Sequence, residues 1–515
     1  MQFNKIYSTT LLVVCMSTAA YCNQEIENSY NTNLSGTLSS ALSGNPNKEI
    51  KLPDLSSGAE LSLSTEEEQK IRQKIINQLR KSTNLIEDIE LSNYIKQLGL
   101  KLIGHTDFSY KQFDFYLFNS SQVNAFATPG GVIVIYTGLF TSTESESELA
   151  SVVAHEIAHV TQEHIARAIQ QAQEMNVPVT LGLIAAVLLG ATTSTDVGIA
   201  SITGLSAFTQ QQQINFTREH EIEADSVGIN TLHAAGFSPY GMAGFFQKLN
   251  QNSQYMGDNI PEFLRTHPIT LNRLSDATTK AQSLNHNLQT SVYKINFNYR
   301  LMKMRADVLT HNNQMQVINK YKQLMSQHSI DKNPEYFYAY AVSLEETQQY
   351  HEAIPIYEEL LHLYPKELTY IVSLARALAK TQDKEQQNKA ISMLQNVHNN
   401  KPYDPIINYY YAQILNQAKQ YQLSIDTLNQ FLNYADKQAI YYQLLSIAYN
   451  GLGEEILSSI AQADYFILNH EYVAAKNLLD IAFKKATDNF YQQSLIQAKL
   501  KDINQHIDKK KKNKL

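Results

Sequence analysis

A chain of 515 residues is too long for one hydrophobic core, so two or three domains are expected. A composition of 43% hydrophobic, 10% aromatic and 18% charged residues is that of a globular protein. Formal charge is −7, from 42 basic and 49 acidic side chains, which gives no reason to expect a nucleic-acid partner.

The first element is a short apolar run. Lys5 precedes Leu11-Leu12-Val13-Val14-Cys15-Met16, and small residues Ser17-Thr18-Ala19-Ala20 follow, the order of a secretory signal over residues 1–22. The two cysteines are Cys15, inside that run, and Cys22, at its end, so the exported chain is expected to keep at most one thiol and no internal disulfide. Tyr21 is bulky where a lipoprotein signal wants a small residue, which argues against lipidation of Cys22. Residues 23–63 are rich in Asn, Ser, Thr and Gly and read as a flexible leader.

Ser64-Thr65-Glu66-Glu67-Glu68 is a helix start, a hydroxyl cap followed by acids that suit the helix dipole. Alternation in Phe113–Phe118 and again from Val123 to Tyr136, interrupted by the turn residues Pro129-Gly130-Gly131, predicts a small antiparallel sheet. Helices dominate from Glu144 onward.

The strongest chemical signal is His155-Glu156-Ile157-Ala158-His159. Helical residues four apart share a face, so both imidazoles can reach one metal ion, and Glu156 is placed to take a proton from a metal-bound water. Zinc lowers the pKa of that water towards about 7 and polarises a scissile carbonyl. The apolar or small flank Leu149–Ala154 is expected of a helix buried under a site. A metzincin would carry Gly at 162 and His at 165; here they are Gln162 and Ile165. The helix is therefore expected to continue and the third ligand to arrive from another helix. On a continuous helix His164 lies about 140° around from His159 and is a poor ligand. Downstream, Glu221 and Asp225 are four apart in Glu219-His220-Glu221-Ile222-Glu223-Ala224-Asp225. One of them is able to meet zinc, the other to accept a hydrogen bond from a ligand imidazole.

Between these motifs, Met175 to Thr195 carries no charge, but its strongly apolar core, Leu181–Leu189, is short for a bilayer span. A helical hairpin packed on the domain, or touching a membrane surface, is the favoured reading.

The C-terminal part repeats. From Asn333-Pro334 a 34-residue frame puts Ala341, Tyr350, Ala353, Tyr357 and Pro365 at tetratricopeptide positions. Ala375, Ala390, Leu394 and Pro402 follow if three residues are inserted near Asp383-Lys384-Glu385. Ala412, Tyr421 and Leu428 make a third unit, and Ala463, Phe466, Tyr472, Ala475, Leu479 and Ala482 a later one. Small residues let paired helices approach and large ones fill the gaps between neighbours. Phe297 to Gln327 reads as an extra, degenerate unit. The basic run Lys509–Lys512, with Lys514 beyond, reads as a solvated, frayed end.

HExxH followed by ExxAD on a later helix resembles the zinc metalloproteases that include the CAAX prenyl proteases and HtpX. That resemblance implies one Zn2+ per chain held by His155, His159 and Glu221, with Glu156 as general base and Asp225 hydrogen-bonded behind a ligand. Asn124-Ala125-Phe126-Ala127 and Pro129-Gly130-Gly131 also look like this family, where Asn124, Ala125 and Phe126 would form an edge strand that receives substrate. An export signal joined to repeats is further similar to the periplasmic β-barrel assembly-enhancing proteases of Gram-negative bacteria, across nearly all of the exported chain. It includes Thr266-His267-Pro268 with Arg273 downstream. The loop resemblance makes His267 either a fourth zinc ligand that latches the site or a loop-stabilising residue.

The expected fold is mainly α. A gluzincin-type metalloprotease domain with a small sheet spans residues 64–295, an α-solenoid of tetratricopeptide repeats spans 296–508, and a basic tail spans 509–515. By resemblance, the enzyme works in the periplasm on misfolded or stalled outer-membrane proteins, and the repeats dock it to the barrel-assembly machinery. Rival readings are a repeat-based chaperone or scaffold in which proteolysis is secondary, and a membrane-surface protease that makes peripheral membrane contact through 177–191.

Overall fold

Ser64 opens the first helix as its hydroxyl and acids predict. In the computed structural model, which describes residues 64–106, 112–174, 207–253, 261–285, 297–435, 437–487 and 489–512, α1 spans Thr65–Lys81. Ser64 Oγ accepts from the Glu67 N–H (3.3 Å), and the Glu67 carboxylate accepts from the Ser64 N–H (2.9 Å), a reciprocal cap. The expected signal, the leader and the apolar segment 175–195 lie outside the described residues.

Asp88 caps α2 (Ile89–Ile103) by accepting from the Leu91 N–H. The strands β1 (Asp114–Phe118), β2 (Ala125–Ala127) and β3 (Val132–Tyr136) follow, in the spatial order β1-β3-β2. The expected antiparallel pairing is that of the β2–β3 hairpin, turned through Gly130 and Gly131 at φ 81° and 78°. β1 instead pairs in parallel with β3, because β3 inserts between the two earlier strands. Alternation identified the strands; it carries no information about which edge each joins.

Every residue of β3 is buried, and its period of two divides them between two cores. Ile133 and Ile135 pack with α2 and with α4 (below), while Val132, Val134 and Tyr136 pack against Ile71, Ile75, Ile76 and Leu79 of α1. α3 (Thr137–Ser142) leads to α4 (Glu146–Thr161), capped by Ser145 and buried from Leu149 to Ala158. Then come α5 (His164–Glu174), α6 (Ala207–Ala234), α7 (Tyr240–Ser253), α8 (Glu262–Thr266) and α9 (Leu271–Asn285).

The helices α10 (Phe297–Thr310) and α11 (Gln314–Gln327) begin a run of paired helices: α12 (Pro334–Glu346) with α13 (Tyr350–Leu363), α14 (Leu368–Lys380) with α15 (Lys384–Asn400), α16 (Pro405–Gln417) with α17 (Tyr421–Leu432), and α18 (Ala439–Gly451) with α19 (Glu455–Leu468). First helices and second helices both advance by 34, 37 and 34 residues, so the three-residue insertion is real; it lengthens the start of α15. Of the frame positions, Ala341, Ala353, Tyr357, Ala375, Ala390 and Ala412 are fully buried, while Tyr350 and Tyr421 are half-buried. Residues 439–455 found no place in the sequence frame because Ser446 stands at the alanine position, where its hydroxyl meets that of Ser458 (3.1 Å). α20 (Tyr472–Lys485) starts only 17 residues after α19 and carries the second-helix pattern, half a unit out of phase. Helical backbone in α21 (Phe490–Lys512) runs past residue 509, where a frayed tail was expected.

Ion pairs join the repeats to α2. Arg305 donates twice to Asp88 (2.9 and 2.6 Å), and Arg376 Nη1 lies 2.9 Å from Glu90 while its other nitrogens bind Glu345. A cleft of about 660 Å3 separates β1 from α18 and α19, lined by Lys96, Tyr116, Lys437 and Tyr465 among others. Among the described residues no helix is long and apolar enough to cross a membrane.

Candidate metal centre

Two imidazoles from one helix, one carboxylate from another and a third imidazole from a loop converge in the interior. The Nε2 atoms of His155 and His159 on α4 are 3.0 Å apart. Glu221 on α6 reaches both, Oε2 at 3.4 Å from His155 Nε2 and Oε1 at 3.3 Å from His159 Nε2. His267, at the end of α8, brings Nδ1 to 3.3 Å from His155 Nε2 and 3.0 Å from Glu221 Oε1. All four donors lie within 4.8 Å of one another. Ligands about 2.0–2.1 Å from one tetrahedral ion stand roughly 3.3 Å from each other, so the donor set and its spacing fit a single small divalent cation. Burial pushes the His159 imidazole down to about 3, leaving it neutral with a lone pair available. Burial acts the same way on His155, but hydrogen bonds to Asp225 and Glu221 outweigh it and raise that ring to about 10. The carboxylates thus demand positive charge at this spot, which a divalent ion supplies as well as a proton.

Behind these donors, His155 Nδ1 is 3.0 Å from Asp225 Oδ1. Asp225 in turn accepts two bonds from Arg273 (2.7 and 2.8 Å). Burial alone would raise the Asp225 carboxyl; the bonds from Arg273 and His155 more than offset it and hold it below the usual carboxylate range. Arg273 also lies 2.9 Å from Glu221 and donates to the Pro268 carbonyl (2.8 Å), fastening the His267 loop to α6. Glu156 is 1% exposed, with Oε1 3.5 Å from His267 Nε2, and burial pushes its carboxyl up.

The expectation that α4 continues past Thr161 is wrong. Glu163 takes φ 55°, the left-handed conformation that ends a helix, and a new helix begins at His164. Arg167 Nε and Nη2 satisfy the freed Gln162 carbonyl (2.9 and 2.7 Å). The break swings His164 back until its Nδ1 is 2.8 Å from His159 Nδ1. It meets the far nitrogen of that ring, not the side facing the cluster.

β2 lies at the sheet edge beside α4, with the Ala127 N–H among the groups acting on Glu156. Asn124, Ala125 and Phe126 are all buried, and the Phe263 N–H of α8 donates to the Val123 carbonyl at their start (3.1 Å).

Gly228, unremarked in the sequence, stands two turns after Glu221 on the same face. A Cβ there would come within 3.2–3.3 Å of the Ala154–His155 backbone, tighter than an ordinary contact. Gly228→Ala is expected to shift α6 from α4 by a few tenths of an ångström. If a 1 Å misplacement costs about 100-fold, the expected loss in kcat/KM is about threefold, at unchanged fold by circular dichroism. An unaltered rate would show that the helices relax without moving Glu221.

Comparison with known proteins gives this geometry its class. Residues 90–281 match peptidase family M48. The chain is 31% identical over 455 residues to the β-barrel assembly-enhancing protease of Escherichia coli K12, covering 88% of this chain and 91% of that one. It is 39% identical over 236 residues to a putative β-barrel assembly-enhancing protease of Vibrio cholerae (46% and 48% covered). Over 150 residues it is 31% identical to the mitochondrial metalloendopeptidase OMA1 of Arabidopsis thaliana (29% and 28% covered). The fold and site are those of a metal-dependent endopeptidase. Within that class, the chain belongs to the β-barrel assembly-enhancing protease family of M48 peptidases.

Proposed function

We propose that the chain is a periplasmic zinc endopeptidase that removes misassembled outer-membrane proteins and assists their assembly, with residues 64–295 forming the peptidase part and 296–508 the docking solenoid. The observation that carries the zinc reading is the convergence of His155, His159 and Glu221 donors at tetrahedral spacing. Zinc supplies Lewis acidity towards water and the scissile carbonyl. Glu156 takes the proton of the attacking water and hands it to the leaving amine. Asp225, fixed by Arg273, holds the His155 ring with Nε2 inward. Asn124, Ala125 and Phe126 offer a strand edge to an extended substrate, once the α8 segment that bonds Val123 moves aside.

His267 is the fourth ligand and latch, an assignment supported by its Nδ1 lying among the other donors. His267→Ala is expected to keep zinc and to degrade casein several-fold faster. Unchanged or lower activity with zinc retained would leave His267 as a loop-stabilising residue. The relatives' names support a role in β-barrel assembly, and the run of paired helices after residue 296 supports protein docking, here to the barrel-assembly machinery. The reading as a whole is tested by metal analysis with a casein-type degradation assay on the wild-type chain. One zinc per chain with chelator-sensitive degradation is expected; failure to load zinc, or degradation that survives its removal, would sink it.

A further inference from the structure

We propose that His164 is a positioning residue for the metal ligand His159, the middle member of a hydrogen-bond chain His159–His164–Glu223 whose terminal carboxylate also accepts from Arg167. The inference rests on the zinc reading above and goes beyond it, because that reading leaves the far side of His159 unexplained. His155 has Asp225 behind it; among the described residues no carboxylate bonds His159 Nδ1. Its Nδ1 instead meets a ring nitrogen of His164, at 2.8 Å.

The tautomers follow from geometry alone. A ligand imidazole that presents Nε2 to an ion carries its proton on Nδ1. That N–H points at His164 Nδ1, which must therefore accept and be unprotonated. The proton of His164 then sits on Nε2, which faces Glu223 Oε2 at 3.2 Å. Glu223 also accepts from Arg167 Nη2 at 2.8 Å, and Arg167 is itself anchored on the Gln162 carbonyl at the end of α4. Each link has one donor and one acceptor, and no two protons meet. The ring of His164 is 3% exposed, so its two nitrogens depend on these partners, whereas Glu223 and Arg167 are 39% and 41% exposed and end the chain at the surface. The left-handed turn at Glu163 makes this arrangement possible; on an unbroken helix His164 would point away.

The rival account is packing. His164 stacks on His220 with ring centroids 4.3 Å apart and planes 10° from parallel, so the ring also fills space. Two substitutions separate the accounts. His164→Phe keeps a flat ring on His220 and removes the acceptor. His164→Asn removes the ring and places an amide oxygen near the former Nδ1.

Zinc dissociation constants by chelator competition, with thermal unfolding as a check on folding, decide between them. His164→Phe is expected to bind zinc about 10- to 100-fold more weakly, the usual effect of removing a partner behind a metal ligand. His164→Asn should stay much closer to wild type. Wild-type affinity in the Phe variant, or equal weakness in both folded variants, would overturn the proposal. Should the Phe variant fail to fold, Glu223→Ala, at a partly exposed site, supplies the test: weaker zinc supports the chain and unchanged zinc overturns it. Histidine 15N NMR of the zinc-loaded protein should find His164 protonated on Nε2; the opposite tautomer also overturns the chain. A wild-type protein that takes up no zinc sinks the zinc reading itself, whereas wild-type uptake matched by His164→Phe sinks only the role of His164.

Discussion

Glu156→Gln is expected to keep one zinc per chain and to lose about 10²- to 10⁴-fold in degradation rate, the range that a positioned general base contributes. The substitution conserves shape in a side chain that is 1% exposed, so the interior of α4 should repack little. An amide cannot take the proton of an attacking water, and that is the only function removed. Metal analysis on the same sample separates loss of the base from loss of the ion. The variant also decides between the two classes of function that the sequence allows. If it sustains the biological role in full, the solenoid acts as a scaffold and cleavage is dispensable. If the role is lost with zinc still bound, hydrolysis is the function.

Arg376→Met should destabilise the folded protein by about 3–5 kcal/mol, measured by urea unfolding. Methionine retains most of the apolar stem but strands the Glu345 carboxylate (8% exposed) in the interior and leaves Glu90 (2% exposed) with Arg305 alone, at 3.1 Å. Arg376 binds both, and Tyr410 OH lies 3.0 Å from the same guanidinium. Glu90 belongs to α2 under the peptidase core, Glu345 and Tyr410 to the repeats, so the cation holds together the two halves of the chain. Removing the stranded carboxylate as well, in Arg376→Met with Glu345→Gln, should recover part of the loss. A loss below about 1 kcal/mol would mean that water screens the network. Asp88 adds a pH dependence with a definite sign. Burial raises its carboxyl, but Arg305 and the Leu91 N–H more than offset this and hold it below the ordinary aspartate value. Its contribution is therefore complete above that value and is lost as the pH falls through the lower folded one.

The repeat frame, the helix of His155 and His159 and the Glu221–Asp225 pair were legible because each rests on spacing within one helix or between equivalent helices. The frame even located the insertion at Asp383–Glu385, since buried alanines must keep their register or the helices cannot approach. It failed at residues 439–455, where a serine replaces the alanine and the following unit slips by half a repeat. His164 is no member of the donor cluster, as its spacing implied, but its place behind His159 was not foreseen. Its direction was computed for an unbroken helix, and the break depends on one residue, Glu163, with no glycine to announce it. Nor could Arg273 or Arg376 be paired with their acids, which lie 48 residues away for Asp225 and 286 for Glu90.

By itself, then, the order of residues determined which side chains could serve a metal and how the repeats stack, because helical periodicity converts spacing directly into a shared face. Tertiary structure alone decided that β3 separates β1 from β2, that His267 joins the other donors, and which buried cation neutralises which carboxylate. Those outcomes depend on contacts between segments far apart in the chain, where no local period relates one residue to another.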